Sequence, residues 1–371
     1  MPTPYPKYVY CFLLSAFFFL QQACAQLSFR GKVIDENGDA AIPHATVYFN
    51  NTTIATETNA KGEFSFDNIR FFNTEVVIVS PGYELFAFRP AEAKMGANKF
   101  VFKMRAKKAG VVPIAGVEAA NTASYREAFR QGLLGITNEA AQSTVNNITD
   151  VYFENDTTSG GFNAAADTTL TIVNKLCGYK MYYNLVAFYY DAFTRQSYCS
   201  GYCRYELLGD EKQFQTARNH CYFGSSQHFF RSLVANKLYE EGFGIFVKDT
   251  VSAPGGSNPG DEDRYRPITA TQILWIDSTN NYSIGIKDKL IIQYNSNPTT
   301  KSYLRTILEY IDGDLKKGIE ASVAIKHAPV ELTTIGVPVA DSELEYGGFW
   351  SYEKLANALP LDYQPDLKPL K

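Results

Sequence analysis

The stretch Thr56-Glu57-Thr58-Asn59-Ala60-Lys61-Gly62-Glu63-Phe64-Ser65-Phe66 decides how this chain is read. Polar and apolar residues alternate in Glu63-Phe64-Ser65-Phe66, which places Phe64 and Phe66 on one face of a strand. The preceding Asn59-Ala60-Lys61-Gly62 has the composition of a tight turn that closes a hairpin, with Gly62 free to take a positive φ. Strand, turn and strand repeat at intervals of about ten residues, and the interval continues in both directions. Strands are predicted over Leu27–Val33, Ala45–Asn50, Thr53–Thr58, Gly62–Phe66, Val76–Ser80, Tyr83–Phe88 and Lys99–Met104. Glu36-Asn37-Gly38, Asn50-Asn51 and Pro81-Gly82 supply turns between them. Seven short strands of this kind predict an antiparallel β-sandwich over residues 26–106.

Composition bounds the rest. The chain has 371 residues, 35 Lys+Arg against 39 Asp+Glu and a net charge of -4, with 45% hydrophobic and 14% aromatic residues. A long disordered chain is excluded, and the length has room for two domains. The 26 Phe and 25 Tyr against 2 Trp and 4 Met favour strands, so the fold class is mainly β with some α. No basic block offers a footprint for a phosphate backbone, which argues against nucleic acid as a partner.

Residues 1–25 read as a signal peptide: Lys7 gives the basic start, Tyr8–Leu20 the apolar run, and Ala23-Cys24-Ala25 the small residues before cleavage after Ala25. The run falls short of a bilayer span of about 20 residues, which counts against a permanent anchor. Gln21 and Gln22 count against lipidation at Cys24. The expectation is an exported protein, in the periplasm or associated with the outer membrane.

Gly31-Lys32-Val33-Ile34-Asp35, Ile42-Pro43-His44-Ala45-Thr46-Val47, the stretch Thr56–Phe66 and Ser80-Pro81-Gly82-Tyr83 together resemble the carboxypeptidase-like regulatory domain. The resemblance implies a transthyretin-like (prealbumin-like), carbohydrate-binding-like sandwich and a binding or scaffolding role in the envelope of Gram-negative bacteria. Asn59 departs from the Asp often found at its position. Nothing in the segment forms a peptidase site, because His44 stands in a turn without co-ligands. No cofactor and no metal are expected.

Residues 107–123 change to a basic, then Gly-, Pro- and Ala-bearing stretch and read as a linker; residues 124–371 read as a larger mixed α+β domain. Ser124-Tyr125-Arg126-Glu127 has the form of a capping box for a helix to about Leu134. Strands are predicted over Val145–Phe153, Phe162–Ala166, Leu170–Val173, Tyr179–Tyr190 and Arg204–Leu208, then a helix over Glu211–Tyr222. Gly224 ends that helix and Ser225 caps the next, which reaches about Tyr239. Further strands are predicted over Phe243–Val247, Gln272–Ile276, Tyr282–Ile286, Leu290–Tyr294, Ala321–Lys326 and Val330–Thr334. Asp261-Glu262-Asp263 lies in a polar loop without EF-hand spacing. Ser351 is placed to cap a short helix halted by Pro360, and Trp350 to dock it or to form a sugar-stacking platform with Tyr.

The densest polar cluster comprises Arg218, Asn219, His220, Tyr222, Ser225, His228 and Arg231. It is read as a structural joint, a ligand site or the active site of a hydrolase. In the last reading Ser225, His228 and Asp210 or Glu211 would form a triad, although a capping serine has its oxygen committed and no Gly-x-Ser-x-Gly elbow surrounds it. This cluster resembles part of the second region of two-domain envelope proteins that begin with the same sandwich. After removal of the leader, Cys177, Cys199, Cys203 and Cys221 remain, with Cys199 and Cys203 placed on either side of a Gly201-Tyr202 turn. They leave open a disulfide, buried free thiols, or zinc held by Cys199, Cys203, His220 and Cys221. The expected function is a non-enzymatic envelope module for a protein or glycan partner, against a hydrolase or a domain docking on an outer-membrane receptor.

Overall fold

A computed structural model describes residues 27–69, 74–90, 99–108, 122–156, 160–248, 265–278, 281–286, 289–294, 320–327, 329–339 and 343–365. The expected leader (residues 1–25), most of the expected linker (107–123) and Asp261–Asp263 lie outside them. The chain forms two compact units, one of Met1–Val47, Thr56–Asn73 and Ile78–Lys107, the other of Tyr48–Ala55, Thr74–Val77 and Lys108–Lys371.

The first third carries β1 (Leu27–Asp35), β2 (Thr46–Phe49), β3 (Ala55–Glu57), β4 (Glu63–Ile69), β5 (Val76–Val79), β6 (Phe86–Phe88) and β7 (Lys99–Met104). They form two sheets, β4-β1-β7 and β3-β2-β5-β6. Alternation aims Phe29, Phe64, Phe66, Phe100 and Phe102 inward, where they meet Phe86 and Phe88. Ring centroids lie between 4.8 Å (Phe29 to Phe100) and 6.5 Å (Phe29 to Phe66).

Two details differ from the sequence reading. β7 runs parallel to β1 rather than antiparallel; parallel neighbours need a connection that leaves their sheet, and here the chain passes through the other sheet between them. The turn after Thr58 likewise carries the chain from one sheet to the other instead of closing a hairpin. Its shape comes from Asn59, whose Oδ1 accepts from the NH groups of Lys61 (2.8 Å) and Glu63 (3.0 Å), and from Gly62 at φ +73°.

Beyond the seven strands, the second unit carries α1 (Thr122–Leu134), α2 (Asn138–Ala141), β8 (Ser143–Val145), β9 (Val151–Asp156), β10 (Gly161–Ala166), β11 (Leu170–Asn174), β12 (Tyr179–Tyr190) and β13 (Ser197–Leu207). β12 is the spine of the sheet. It pairs with β13 along one edge and with β11 and then β10 along the other. Phe129 and Leu133 of α1 enter its core, with Phe129 4.7 Å from Phe188. α1 starts at Thr122, so Ser124 lies inside the helix rather than at its cap, and Glu127 accepts from Arg130 and Gln131.

The expected strand Val145–Phe153 is broken because Asn147 turns back, accepting from the Thr171 NH (2.8 Å) and donating to Asp150 (3.0 Å). Gly201 and Tyr202 form no turn; both lie inside β13. A Cβ on Gly201 would come within 2.5 Å of the Tyr183 ring and the Asn184 carbonyl, so close packing of the two long strands requires this glycine.

α3 (Glu211–Tyr222) and α4 (Ser226–Val234) follow. α4 ends at Val234, earlier than predicted, and Asn236 takes φ +54° just beyond it. Then come β14 (Phe243–Lys248), β15 (Tyr265–Pro267), β16 (Leu274–Ile276), β17 (Tyr282–Ile284), β18 (Leu290–Tyr294), β19 (Glu320–Ile325), β20 (Val330–Leu332) and β21 (Leu344–Gly348). They form the sheets β15-β14-β18-β19-β21 and β16-β17-β20 around a second core containing Phe229, Leu233, Ile292, Val323 and Trp350. Ser351 closes a short 3-10 turn onto the Gly348 carbonyl instead of capping a helix.

Candidate functional site

The polar cluster assembles where α3 gives way to α4. Gly224, at φ +87°, ends the first helix, and Ser225 caps the second by accepting from the His228 NH at 3.2 Å while its hydroxyl donates to the Tyr222 carbonyl at 2.7 Å. Both the lone pair and the proton that a nucleophilic serine would use are engaged. Asp210, one candidate acid, instead caps α3 by accepting from the Lys212 NH, and Glu211 is the first residue of that helix.

The His228 ring makes no hydrogen bond to the Ser225 hydroxyl. Its Nδ1 accepts from the Gly224 NH and its Nε2 meets Glu241 Oε2, each at 3.2 Å. Rings of Tyr222, Phe223, Phe243 and Tyr294 surround it. Burial pushes its pKa down to about 4, with Glu241 opposing and Arg231 adding to the effect. The imidazole is therefore neutral at pH 7, donating from Nε2. The Ser225–His228–acid arrangement of the hydrolase reading is not formed.

The other members act as ties. Arg218 is buried without a carboxylate: its Nε donates to the Cys177 carbonyl (2.8 Å), one terminal nitrogen donates to the Gly178 carbonyl (3.3 Å), and the guanidinium lies 4.1 Å from the Tyr179 ring centroid. It joins α3 to the turn between β11 and β12. Asn219 accepts from the Tyr363 hydroxyl (2.7 Å), and Arg231 donates to the carbonyls of Leu361 (2.9 Å) and Tyr363 (3.0 Å). His220 Nδ1 lies 3.2 Å from Glu139, whose other oxygen accepts from Asn357 (3.0 Å). Desolvation works to raise the Glu139 pKa, but its bonds to His220, the backbone and Asn357 leave it lowered.

Residues 355–363 are thus bound by α1, α2, β11, β13, α3 and α4. Asn174 donates to the Ala356 carbonyl, Leu361 donates to the Asn51 carbonyl at 2.7 Å, and Asp362 accepts from Thr53. The sequence marks Arg218, Asn219 and Arg231 but gives no sign that a segment more than a hundred residues away is what Asn219 and Arg231 hold.

The four described cysteines, Cys177, Cys199, Cys203 and Cys221, are free. Cys177 and Cys221 are buried with sulfurs 3.4 Å apart, and Cys199 meets the Tyr183 hydroxyl at 3.3 Å. The bond to Cys177 and then burial hold the Cys221 thiol well above its usual pKa, and burial pushes Cys199 up to about 11. Among the described residues no three His, Cys, Asp or Glu side chains are grouped to hold a metal, so the zinc set Cys199, Cys203, His220 and Cys221 does not come together. Trp350 is buried and donates to the Gly224 carbonyl at 2.9 Å, which removes it as a stacking platform.

In the sandwich, β3 and β4 end their respective sheets. A groove of about 690 Å³ lies there, lined by Thr56, Asn59, Ser65 and two ion pairs, Arg30 with Asp67 and Lys99 with Glu63, each at 2.7 Å. The hydrogen bond from Lys99 holds the Glu63 carboxyl below its ordinary pKa.

Residues 29–108 match the family model of the CarboxypepD_reg-like domain. The groove therefore belongs to a CarboxypepD_reg-like domain, and the seven strands and paired sheets are its sandwich. Nothing among curated proteins matches the chain. A solved structure from Bacteroides uniformis ATCC 8492, whose given name proposes carbohydrate binding, is 11% identical, with 42% of this chain and 56% of that one covered. Its TM-score is 0.18. This chain spans just over half the length of that protein. Among the described residues, no helix is long and apolar enough to cross a membrane, a statement that does not extend to β-barrels.

Proposed function

We propose that this chain is an exported, non-enzymatic envelope protein that binds or scaffolds a protein or glycan partner. The CarboxypepD_reg-like sandwich over 26–106 supplies a binding module, joined by the linker 107–123 to the domain 124–371. The supporting observation is the contrast between two polar sites. In the α3–α4 cluster, Ser225, Asn219, Arg218 and Arg231 are engaged by main chain and by the segment 355–363. The groove between β3 and β4 instead presents its polar side chains to solvent beside two sheet-edge strands, where an incoming chain finds both charged groups and main-chain partners.

The test uses the full chain and a Ser65→Arg variant, which fills the groove from an exposed position. Co-sedimentation with purified envelope fragments should show saturable binding by the native protein and at least tenfold weaker binding by the variant, with unchanged circular dichroism. Equal binding by both, or turnover of ester, peptide or glycoside substrates that is lost in Ser225→Ala, would overturn the proposal.

A further inference from the structure

The second unit contains a concavity of about 400 Å³ formed by β14, β15, β16 and the ends of β17 and β19. Its lining combines apolar side chains such as Val247 and Ile273 with a distinctive rim. Trp275 is 49% exposed although it is one of only two tryptophans in the chain. The edge of its six-membered ring abuts Gly285: a Cβ there would come within 2.1 Å and 2.2 Å of two adjacent ring carbons. The missing side chain makes room for that edge against the backbone.

The polar groups around that ring are mostly donors. The Arg266 guanidinium and the Trp275 indole NH have no hydrogen-bond partner among the described residues. Gln272 accepts from the Thr269 NH through Oε1 (2.8 Å), and its amide NH2 has no hydrogen-bond partner among the described residues. His327 is anchored through Nδ1 on Glu343 at 2.9 Å, leaving Nε2 for a ligand. No described carboxylate lines the concavity.

We propose that this concavity binds an acidic saccharide, a glycan containing hexuronate residues. The exposed indole stacks on the C–H face of a pyranose ring, as flat aromatic surfaces do with ring-shaped ligands that are apolar on one side. Arg266 takes the uronate carboxylate in a two-pronged, charge-assisted contact. Gln272 and His327 meet ring hydroxyls, and the volume lies at the lower end for pockets that hold small ligands, enough for a short run of sugar units. A neutral sugar would leave Arg266 unused, and an aryl carboxylate would leave Gln272 and His327 unused. The inference rests on the binding-protein reading above but names a different site for the glycan.

Trp350 is buried, so a ligand-dependent change in tryptophan emission reports on Trp275. Titration of the full chain with trigalacturonate should give a saturable emission change, and calorimetry should find cellotriose at least tenfold weaker. Arg266→Gln should weaken trigalacturonate at least tenfold and leave cellotriose unchanged. Trp275→Ala should weaken both at least tenfold by calorimetry. Equal binding of the two sugars, stronger binding of benzoate, or retained binding in Trp275→Ala would overturn the site. Loss of trigalacturonate binding in Ser65→Arg alone would move the glycan to the sandwich groove, ending this inference while sparing the binding reading. Binding neither to trigalacturonate nor to envelope fragments would end both.

Discussion

In the sandwich, seven phenylalanines meet between two sheets while Arg30, Asp67, Lys99 and Glu63 pair on the solvent side. The second unit has apolar cores too, yet between its elements lie Arg218, Asn219, Glu139, Asn357 and His228, all buried. The difference separates two kinds of cohesion. An exposed ion pair exchanges one hydrated state for another and is screened by salt. A buried polar tie that loses one end leaves the other desolvated and unpaired.

The largest effect should therefore come from Arg218→Ala, which orphans the Cys177 carbonyl, leaves the Gly178 carbonyl with the Leu208 NH alone and opens space beside Tyr179. We expect a loss of about 3 kcal/mol in urea unfolding. A loss below about 1 kcal/mol would break the comparison, because it would mean that these ties relax as easily as surface pairs.

A smaller, pH-dependent effect should come from His228. Its folded pKa, near 4, is below the ordinary value of 6.5, so the unfolded chain takes up a proton first as pH falls. Stability should be flat above about pH 7 and decline between about 6.5 and 4, at no more than about 1.4 kcal/mol per pH unit. Tyrosine near-ultraviolet dichroism during urea titrations at several pH values reads this slope, and His228→Gln should flatten it. An unchanged slope in that variant would assign the acid sensitivity elsewhere.

The smallest effect should be that of Lys99→Met, which removes the exposed partner of Glu63. The thermal midpoint should stay within measurement error at physiological salt. A clear drop would show that the charged face of the sandwich bears part of its stability.

The same contrast explains what could be read from the sequence. The seven strands were legible because their signals are local: alternation at Phe64 and Phe66, an Asn-led turn at Asn59, Gly after Pro at 81–82. Gly224 and Ser225 were legible for the same reason, since a helix stop and a cap lie side by side. The parallel pairing of β1 with β7 was not, because strand direction depends on the path through the other sheet. Gly201 misled because a glycine beside aromatics looks like a turn, whereas here it makes room for Tyr183 across two long strands. The partners of Asn219 and Arg231 were out of reach, since no periodicity points from position 219 to Tyr363. Trp275 and Trp350 differ in role although nothing in their local sequence says which is exposed.

The binding of residues 355–363 also has a consequence for the order of events during synthesis. The bond from the Thr53 NH to Asp362 spans 309 positions. Asn51 and Thr53 therefore wait through the emergence of most of the chain before their final partners exist, and Asn174 and Arg231 wait through 182 and 130 further positions. Contacts of such sequence separation form late, and until they do, the half-built unit exposes edges that invite misassembly. Residues 355–363 are thus the last partners of these groups to be synthesised.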